Sequence, residues 1–198
     1  MPGSVSYLLP TDRMTFTEER EHRHKSILAG LRVAVQHGWA SQRDYDLYAG
    51  RLPGGVQTPE TVDIRELQPT LDLGAALDSW TTAVNAAVNA WVALPAGVAA
   101  FGVPGNRVYV FYKIGTEELV PIPNSRARFL VGQGNIRGMF DLEPLFSHDL
   151  VEGYFSEPMI YATPELITVA LRTRVITGVL AVWYLGAVVI EVGGGVVA

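Results

Sequence analysis

The sequence contains no cysteine and comparatively few charged residues. Of its 198 residues, 18% are charged and 48% are hydrophobic, and the mean hydropathy is +0.20. The absence of cysteine excludes disulfide bonds and thiolate metal sites. Soluble domains usually carry about 25% charged residues, so much of this chain must be buried in a core or against other molecules. This composition also excludes intrinsic disorder, because enough apolar surface is available to form a core.

The beginning of the chain lacks the pattern of a secretory signal. Such a signal needs a basic stretch followed by about 7–15 apolar residues. Residues 1–17 offer only Tyr7, Leu8 and Leu9 before Pro10 interrupts them. We therefore expect no secretory signal and no export by this route. The formal net charge of −5 is spread over the chain, so neither half resembles a nucleic-acid-binding arm.

The sequence also lacks a recognisable catalytic, cofactor-binding or metal-ligating motif, and we assign no residues to these roles. Residues 132–138 have the wrong glycine spacing for a dinucleotide-binding loop and are typical of a hairpin between two strands. His22 and His24 would point to opposite sides of a helix, so they cannot share one metal ion. His37 and His148 are isolated in the sequence. We predict a protein that is not an enzyme and carries no cofactor.

Three further groups of polar residues have weak functional patterns. The carboxylate pairs are Asp141 with Glu143, which would share one face of a strand, and Glu152 with Glu157. Because carboxylates are common at loop ends, we interpret both pairs as structural. Arg126, Arg128 and Arg137 form a candidate basic strip, and the first two share a strand face. The chain is net negative, so we expect this strip to form ion pairs at an interface and not to bind nucleic acid specifically.

The N-terminal part of the sequence carries the pattern of two helices. Thr15 and Glu18 have the spacing of a capping box, which predicts a helix over residues 16–37. Gly38 provides a left-handed stop, and Ser41 begins a second helix that ends at the next glycine. Apolar residues recur at three- and four-residue steps on one side of the first helix: Ile27, Leu28, Leu31, Ala34 and Val35.

The charge-free stretch of residues 79–106 admits several interpretations. Its apolar periodicity predicts a helix over residues 73–94, ended by Pro95, that packs on the next domain or lies at a subunit interface. Residues 80–101 are also numerous enough to cross a bilayer, where about 20 apolar residues are needed. Internal polar residues weaken that alternative, and no basic cluster flanks the stretch. Membrane contact is therefore an alternative that we do not favour.

From residue 107 onward, apolar and polar residues alternate in the pattern that is typical of β-strands. Four segments are dense in β-branched and aromatic residues, namely 107–114, 126–131, 166–176 and 179–192. Short strands with turn residues between them predict an antiparallel sandwich or barrel. The last segment contains only Glu191 as a charged residue, and we expect a central strand followed by a loose tail. An exposed apolar edge there would need to be covered by another subunit.

These patterns together predict an α+β protein, in which N-terminal helices precede an antiparallel β-sandwich of jelly-roll type. We divide the chain into four parts: a helical hairpin at 1–51, a Pro/Gly-rich linker at 52–72, an apolar helix and connector at 73–106, and the β-sandwich domain at 107–198.

The C-terminal half resembles the β-sandwich segments of phage and virus structural proteins. The segments that carry the resemblance are Val110-Phe111-Tyr112-Lys113-Ile114, Phe140-Asp141-Leu142-Glu143, Gly153-Tyr154-Phe155-Ser156-Glu157-Pro158, Leu185-Gly186 and Val189-Ile190-Glu191. The resemblance covers residues 107–198 and transfers no catalytic residue. It implies a virion building block whose function lies in its surfaces. The helical part at the front favours a minor or decorating role over that of a major coat protein.

We therefore expect a non-enzymatic structural protein that self-assembles as a capsid, decoration or other virion component. Its partners would be further copies of itself and other virion proteins, and its location would be the virion, assembled in the host cytoplasm. The alternative is a β-sandwich ligand-binding domain, for example one directed at carbohydrate. In that case Tyr109, Tyr154 and Trp183 would line a cleft.

Overall fold

The computed structural model describes residues 7–11, 14–52, 58–76, 80–82, 88–116, 124–132, 134–143, 145, 152–174 and 181–193. Within these ranges the helices are α1 (Phe16–Gln36), α2 (Gln42–Tyr48) and α3 (Pro69–Leu73). The strands are β1 (Leu8–Pro10), β2 (Val62–Glu66), β3 (Trp80–Thr82), β4 (Trp91–Ala93), β5 (Phe101–Gly102), β6 (Arg107–Thr116), β7 (Asn124–Val131), β8 (Asn135–Asp141), β9 (Glu152–Ala162), β10 (Leu166–Thr173) and β11 (Ala181–Val192).

The strands form two antiparallel sheets. Sheet A has the order β1-β9-β6-β11-β2, and β3 also pairs with β11. Sheet B has the order β4-β10-β7-β8, and β5 also pairs with β10. Because α1 and α2 precede most of these strands, the chain is an α+β protein in which strands predominate.

One hydrophobic core lies between the two sheets. Successive residues of a strand face opposite sides, so alternate residues of the central strands enter this core, except where an irregularity such as that between Phe111 and Lys113 shifts the pattern. Phe111 of sheet A lies 5.6 Å from Phe129 of sheet B, measured between ring centroids. Phe155 of sheet A stacks on Phe140 of sheet B at 4.3 Å. All four rings are fully buried, so aromatic side chains fill the space between the sheets.

A second core joins α1 to the other face of sheet A. Leu31 and Ala34 of α1 are fully buried with Val108 and Val188 of the sheet. Gly30 lets the helix approach closely, because a Cβ atom there would lie 2.8 Å from Ile190 Cδ1. The helices and sheet A therefore share buried side chains, and the molecule is layered as helix, sheet A and sheet B.

The two N-terminal helices were predicted correctly. Thr15 Oγ1 accepts a hydrogen bond from the Glu18 amide at 3.3 Å, and the Thr15 amide donates to Glu18 Oε2 at 2.7 Å, which completes the capping box. Gly38 has a φ of 71°, the left-handed conformation that ends the helix. Ser41 Oγ accepts from the Asp44 amide at 3.0 Å and caps α2. Local side-chain chemistry thus sets both helix starts.

The prediction for residues 52–94 needs correction. The expected linker contains β2, which is a strand of sheet A, and the helical turn α3. In the part of residues 73–94 that the structure describes, the expected helix is replaced by Trp80–Thr82 and Trp91–Ala93, which pair with β11 and β10. Pairing with strands far along the chain overrides the helical periodicity of this Ala- and Val-rich stretch. Residues 53–57, 77–79 and 83–87 lie outside the described residues.

The later strands agree with the sequence pattern. The four predicted segments correspond to β6, β7, β10 and β11, and the glycine-rich turn after Val131 connects β7 to β8. The structure places β11 in the interior of sheet A, between β6 and β2. Residues 177–178, which lie between the last two predicted strands, and the tail at residues 194–198 lie outside the described part. None of the described helices is both long and apolar enough to cross a membrane.

Candidate functional site

Three arginines lie on the outer surface of sheet B. The buried residues Ala127, Phe129 and Leu171 face the core, so the arginines next to them in sequence face outward, namely Arg126, Arg128 and Arg172. Sequence alternation predicted the shared face of Arg126 and Arg128, and the structure confirms it. We call the surface formed by Trp91, Arg126, Arg128, Met139 and Arg172 the arginine face.

The register of the strands brings like charges together on this face. Arg172 is the direct cross-strand partner of Arg126, and Trp91 lies on the other side of Arg172. Like charges directly opposite each other destabilise a sheet. Within the described part of the chain, neither Arg126 nor Arg172 forms an ion pair. Asp141 lies opposite Arg126 on β8, but its Oδ1 atom accepts a hydrogen bond from the Glu143 amide at 3.0 Å.

Arg128 and Trp91 are in direct contact on the arginine face. The Arg128 guanidinium carbon lies 4.1 Å from the centroid of the Trp91 ring, a cation–π contact that crosses the intervening strand β10. Arg128 Nε is buried and has no hydrogen-bond partner in the described structure. Burial lowers the pKa of the Arg128 guanidinium from its usual value. Because that value is so high, the group remains a cation at neutral pH.

Arg137 does not belong to the arginine face, although the sequence grouped it with Arg126 and Arg128. Its guanidinium donates to Glu165 Oε2 at 3.1 Å and to the Ile160 carbonyl. It also lies 4.6 Å from the centroid of the Tyr161 ring. Since Arg137 is on β8 and Ile160 is on β9, this residue ties an edge of sheet B to sheet A.

A lysine–tyrosine cluster lies on the helix side of sheet A. Lys113 Nζ is 2.8 Å from Glu152 Oε2, and the Tyr184 hydroxyl donates to the same oxygen at 2.9 Å. The ammonium group lies 5.6 Å from the ring centroids of both Tyr154 and Tyr184. Gly186 makes room for it, since a Cβ atom there would lie 2.8 Å from Lys113 Cβ. Glu152 neutralises the lysine, so the cluster is structural.

A second charged cluster lies where α3 contacts strands β2, β6 and β11 of sheet A. Arg65 donates to both carboxylate oxygens of Asp72, at 2.7 and 2.6 Å, and also reaches Glu191 at 2.7 Å. Arg107 lies 2.9 Å from the same Glu191 carboxylate. The Asp72 side chain is fully buried, and its hydrogen bonds are the main reason that the pKa of Arg65 is raised. This network anchors α3 to the strands.

The structure separates the histidines. His22 Nε2 lies 2.9 Å from the Phe155 carbonyl, whereas His24 is exposed. His37 caps α1 and stacks on Trp39, with 4.4 Å between the ring centroids. His148 lies outside the described residues. In the described part of the chain, no three histidine or carboxylate side chains come together as metal ligands.

The carboxylate pairs also separate. Asp141 is the last residue of β8, so Glu143 lies beyond the strand and the two do not share a strand face as predicted. Glu143 lies 3.7 Å from Arg174 instead. Glu152 is engaged by Lys113 and Tyr184, as described above, whereas Glu157 is exposed.

The aromatic residues expected to line a ligand cleft are buried. Tyr109, Tyr154 and Trp183 each expose less than 5% of their surface. Their polar atoms bond inside the protein, as shown by the Tyr109 hydroxyl, which donates to the Asp72 carbonyl, and by Trp183 Nε1, which donates to Asn124. These side chains belong to the cores and offer no surface to a carbohydrate.

Comparisons of this chain with protein-family models, with curated proteins and with solved structures found no match. Among the surface groups described above, the arginine face is the one whose charges are not neutralised by neighbours in the described structure. It is therefore the candidate functional surface.

Proposed function

We propose that this chain is a structural protein that self-assembles, as a capsid, decoration or other virion component. The observation that carries the proposal is the order of the strands. Among the strands, β2, β4 and β6 to β11 form a set of eight, which we number 1 to 8 along the chain. Sheet A then has the order 1-8-3-6 and sheet B has the order 2-7-4-5. This order supports a jelly roll, an architecture of eight strands in two Greek keys that viral capsid domains use.

The filled interior favours a function at the surface. Jelly rolls also occur in lectins and cupins, so the architecture alone does not select a function. Here the four phenylalanines occupy the space between the sheets, and no cleft opens at the aromatic residues that were candidates for ligand binding. A filled interior of this kind favours binding through an outer surface.

Apolar side chains on the surface further support contacts between subunits. Phe16 at the start of α1 is 74% exposed, and Leu71 on α3 and Ile136 on β8 are more than half exposed. These residues lie on different elements, so the apolar contacts would involve more than one side of the molecule. Phenylalanine is enriched at interfaces between subunits, and the buried centre of such an interface is more apolar than the rest of the surface.

The proposal is tested by the mass of the purified protein in solution. We expect static light scattering to give a mass several times that of the 21.5 kDa chain, and electron micrographs of the same fractions to contain discrete particles or rings. A monomer at every concentration measured would contradict the proposal.

A further inference from the structure

The structure points to an occupant for the arginine face. We infer that this face binds carboxylates of a second copy of the same chain, in a head-to-tail contact. The inference rests on the proposed function, because it specifies one of the contacts through which the protein would assemble.

The first step is the charge of the face. Arg126, Arg128 and Arg172 converge on neighbouring strands, and none of them has an ion-pair partner in the described structure. The direct pairing of Arg126 with Arg172 costs stability as long as no anion lies between them. A carboxylate placed over this pair would remove the repulsion and accept hydrogen bonds from both guanidinium groups.

The second step is the choice between a carboxylate-bearing protein and a nucleic acid. Proteins that bind single strands stack bases on exposed aromatic rings, but Arg128 already covers one face of the Trp91 ring. Asp141 lies beside Arg126 and would repel any anion on that side of the row, so the face suits a single carboxylate over Arg126 and Arg172 better than a continuous phosphate backbone. The chain has a net charge of −5, so every further copy of it supplies carboxylates. These observations favour a second copy over a nucleic acid.

The third step is the geometry of the contact. Two arginine faces repel each other, so the contact joins this face to a different surface of the neighbouring copy. Exposed carboxylates without an ion pair in the described residues include Asp63 on β2 and Glu157 on β9. Both belong to sheet A, whereas the arginine face belongs to sheet B. Contacts between unlike surfaces repeat from copy to copy and produce rings or filaments.

The test compares two triple variants that remove the same number of positive charges. The first replaces the arginine face, as Arg126→Gln, Arg128→Gln and Arg172→Gln. The matched control replaces exposed cations of the helical layer, as Arg20→Gln, Lys25→Gln and Arg51→Gln. Circular dichroism and urea unfolding establish that each variant is folded. Light scattering over a range of protein and NaCl concentrations then gives the concentration at which half of the protein is assembled.

We expect the first variant to raise this concentration about tenfold or more, and the control to change it less than about threefold. Raising NaCl should weaken assembly of the wild-type protein, because the contact is between charges. A third variant with lysine at the three positions should recover part of the assembly. The first variant keeps its carboxylates, so adding it to wild-type protein should shorten or reduce the assemblies by occupying arginine faces.

Each contrary outcome has a distinct meaning. A wild-type protein that is monomeric throughout overturns the proposed function and, with it, this contact. If the wild-type protein assembles and the first variant assembles equally well, the proposed function stands and the contact is wrong. Equal losses in both triple variants would trace the effect to net charge and overturn the contact. If the wild-type protein binds a single-stranded DNA oligonucleotide, and the first variant loses this binding while it assembles normally, the face binds nucleic acid and the proposed contact is wrong.

Discussion

Gly30 is a residue at which α1 packs closely on sheet A. A Cβ atom at this position would lie within 3 Å of the side chains of Val110 and Ile190. Both side chains are fully buried and packed, so they have little freedom to move aside. The close packing of the helix on the sheet therefore requires glycine here, although glycine is a poor residue for the interior of a helix.

Replacing Gly30 with alanine tests this packing. Helix propensity alone predicts that Gly30→Ala stabilises the protein by about 1 kcal/mol. We expect the opposite, a loss of roughly 1–3 kcal/mol in the free energy of unfolding, because the added methyl group overpacks the interface. Urea unfolding monitored by circular dichroism provides the measurement. A gain in stability would mean that α1 moves away from the sheet without cost.

Asp44 joins α2 to the chain segment that leads into β2. Its Oδ1 atom accepts from the Glu60 amide at 2.9 Å, and its Oδ2 atom accepts from the Thr61 amide at 2.8 Å and from the Thr61 hydroxyl. Burial by itself raises the pKa of this carboxyl, but the hydrogen bonds to Thr61, Glu60 and Ser41 outweigh it and lower the pKa below its usual value. The ionised form therefore stabilises the fold.

This lowered pKa predicts how stability depends on pH. Because the pKa of Asp44 is lower in the folded than in the unfolded protein, its contribution is present above about pH 4 and is lost as the pH falls through the folded value. Asp44→Asn should cost roughly 1–3 kcal/mol at pH 7, and the difference from wild type should shrink below pH 4. Urea midpoints between pH 3 and pH 7 measure this. The exposed Asp63→Asn is the control, and an equal pH dependence in both variants would contradict the assignment.

At the scale of elements, the two outer faces of the sheets are used differently. The outer face of sheet A is covered by α1, so Tyr154 of β9 is buried there. No described element covers the outer face of sheet B, where Trp91 of β4 is only half-buried. Tyr154 is therefore part of a core, whereas Trp91 lies on a surface that a neighbouring molecule could contact.

The same substitution at these two residues should separate the roles. Tyr154→Asp places a carboxylate in a core and should prevent folding. Trp91→Asp should leave the protein folded and weaken assembly, because the new carboxylate lies opposite Arg172 and competes with that of a neighbouring copy. Circular dichroism measures folding, and light scattering measures assembly. A folded Tyr154→Asp variant would contradict the core role of Tyr154. A Trp91→Asp variant that assembles as the wild type does would contradict the role of Trp91 at a contact surface.

The elements also differ in how well the sequence predicted them. The starts of α1 and α2 depend on side chains three residues apart, such as Thr15 and Glu18, and local patterns of this kind can be read directly. The short strands β2, β3 and β4 depend on pairing with β11 and β10, which are about 80 to 130 residues away. Local sequence does not contain that information, so a helix was predicted where strands occur.

The arginine face could be predicted only in part, because some of its residues follow a local pattern and others depend on long-range pairing. Alternation along β7 is a local property, and it correctly placed Arg126 and Arg128 together. The addition of Arg172 and Trp91 depends on the register of β10 with β7 and β4, which the sequence does not reveal. The lysine–tyrosine cluster was missed because an irregularity between Phe111 and Lys113 interrupts the alternation of β6.

At the scale of the whole molecule, charge is unevenly distributed between the layers. The charged clusters of sheet A are neutralised internally, as by Asp72 and Glu191 for Arg65 and by Glu152 for Lys113. The arginine face of sheet B has no such partners in the described structure. In a chain whose net charge is −5, this uneven distribution gives the molecule two unlike sides. Molecules with unlike sides tend to assemble in one direction.

The position of the N-terminal strands also limits when sheet A can be completed during synthesis. Sheet A is bounded by β1 and β2, but their partners β9 and β11 are among the last strands to be made. Ribosomes add about 5–20 residues per second, so roughly 6 to 25 s separate the synthesis of Glu66 from that of Val192. The main strands of sheet B are all completed by Thr173, before β11 is made. The apolar side of α1 is therefore synthesised well before β11, the last of the described strands on which it packs.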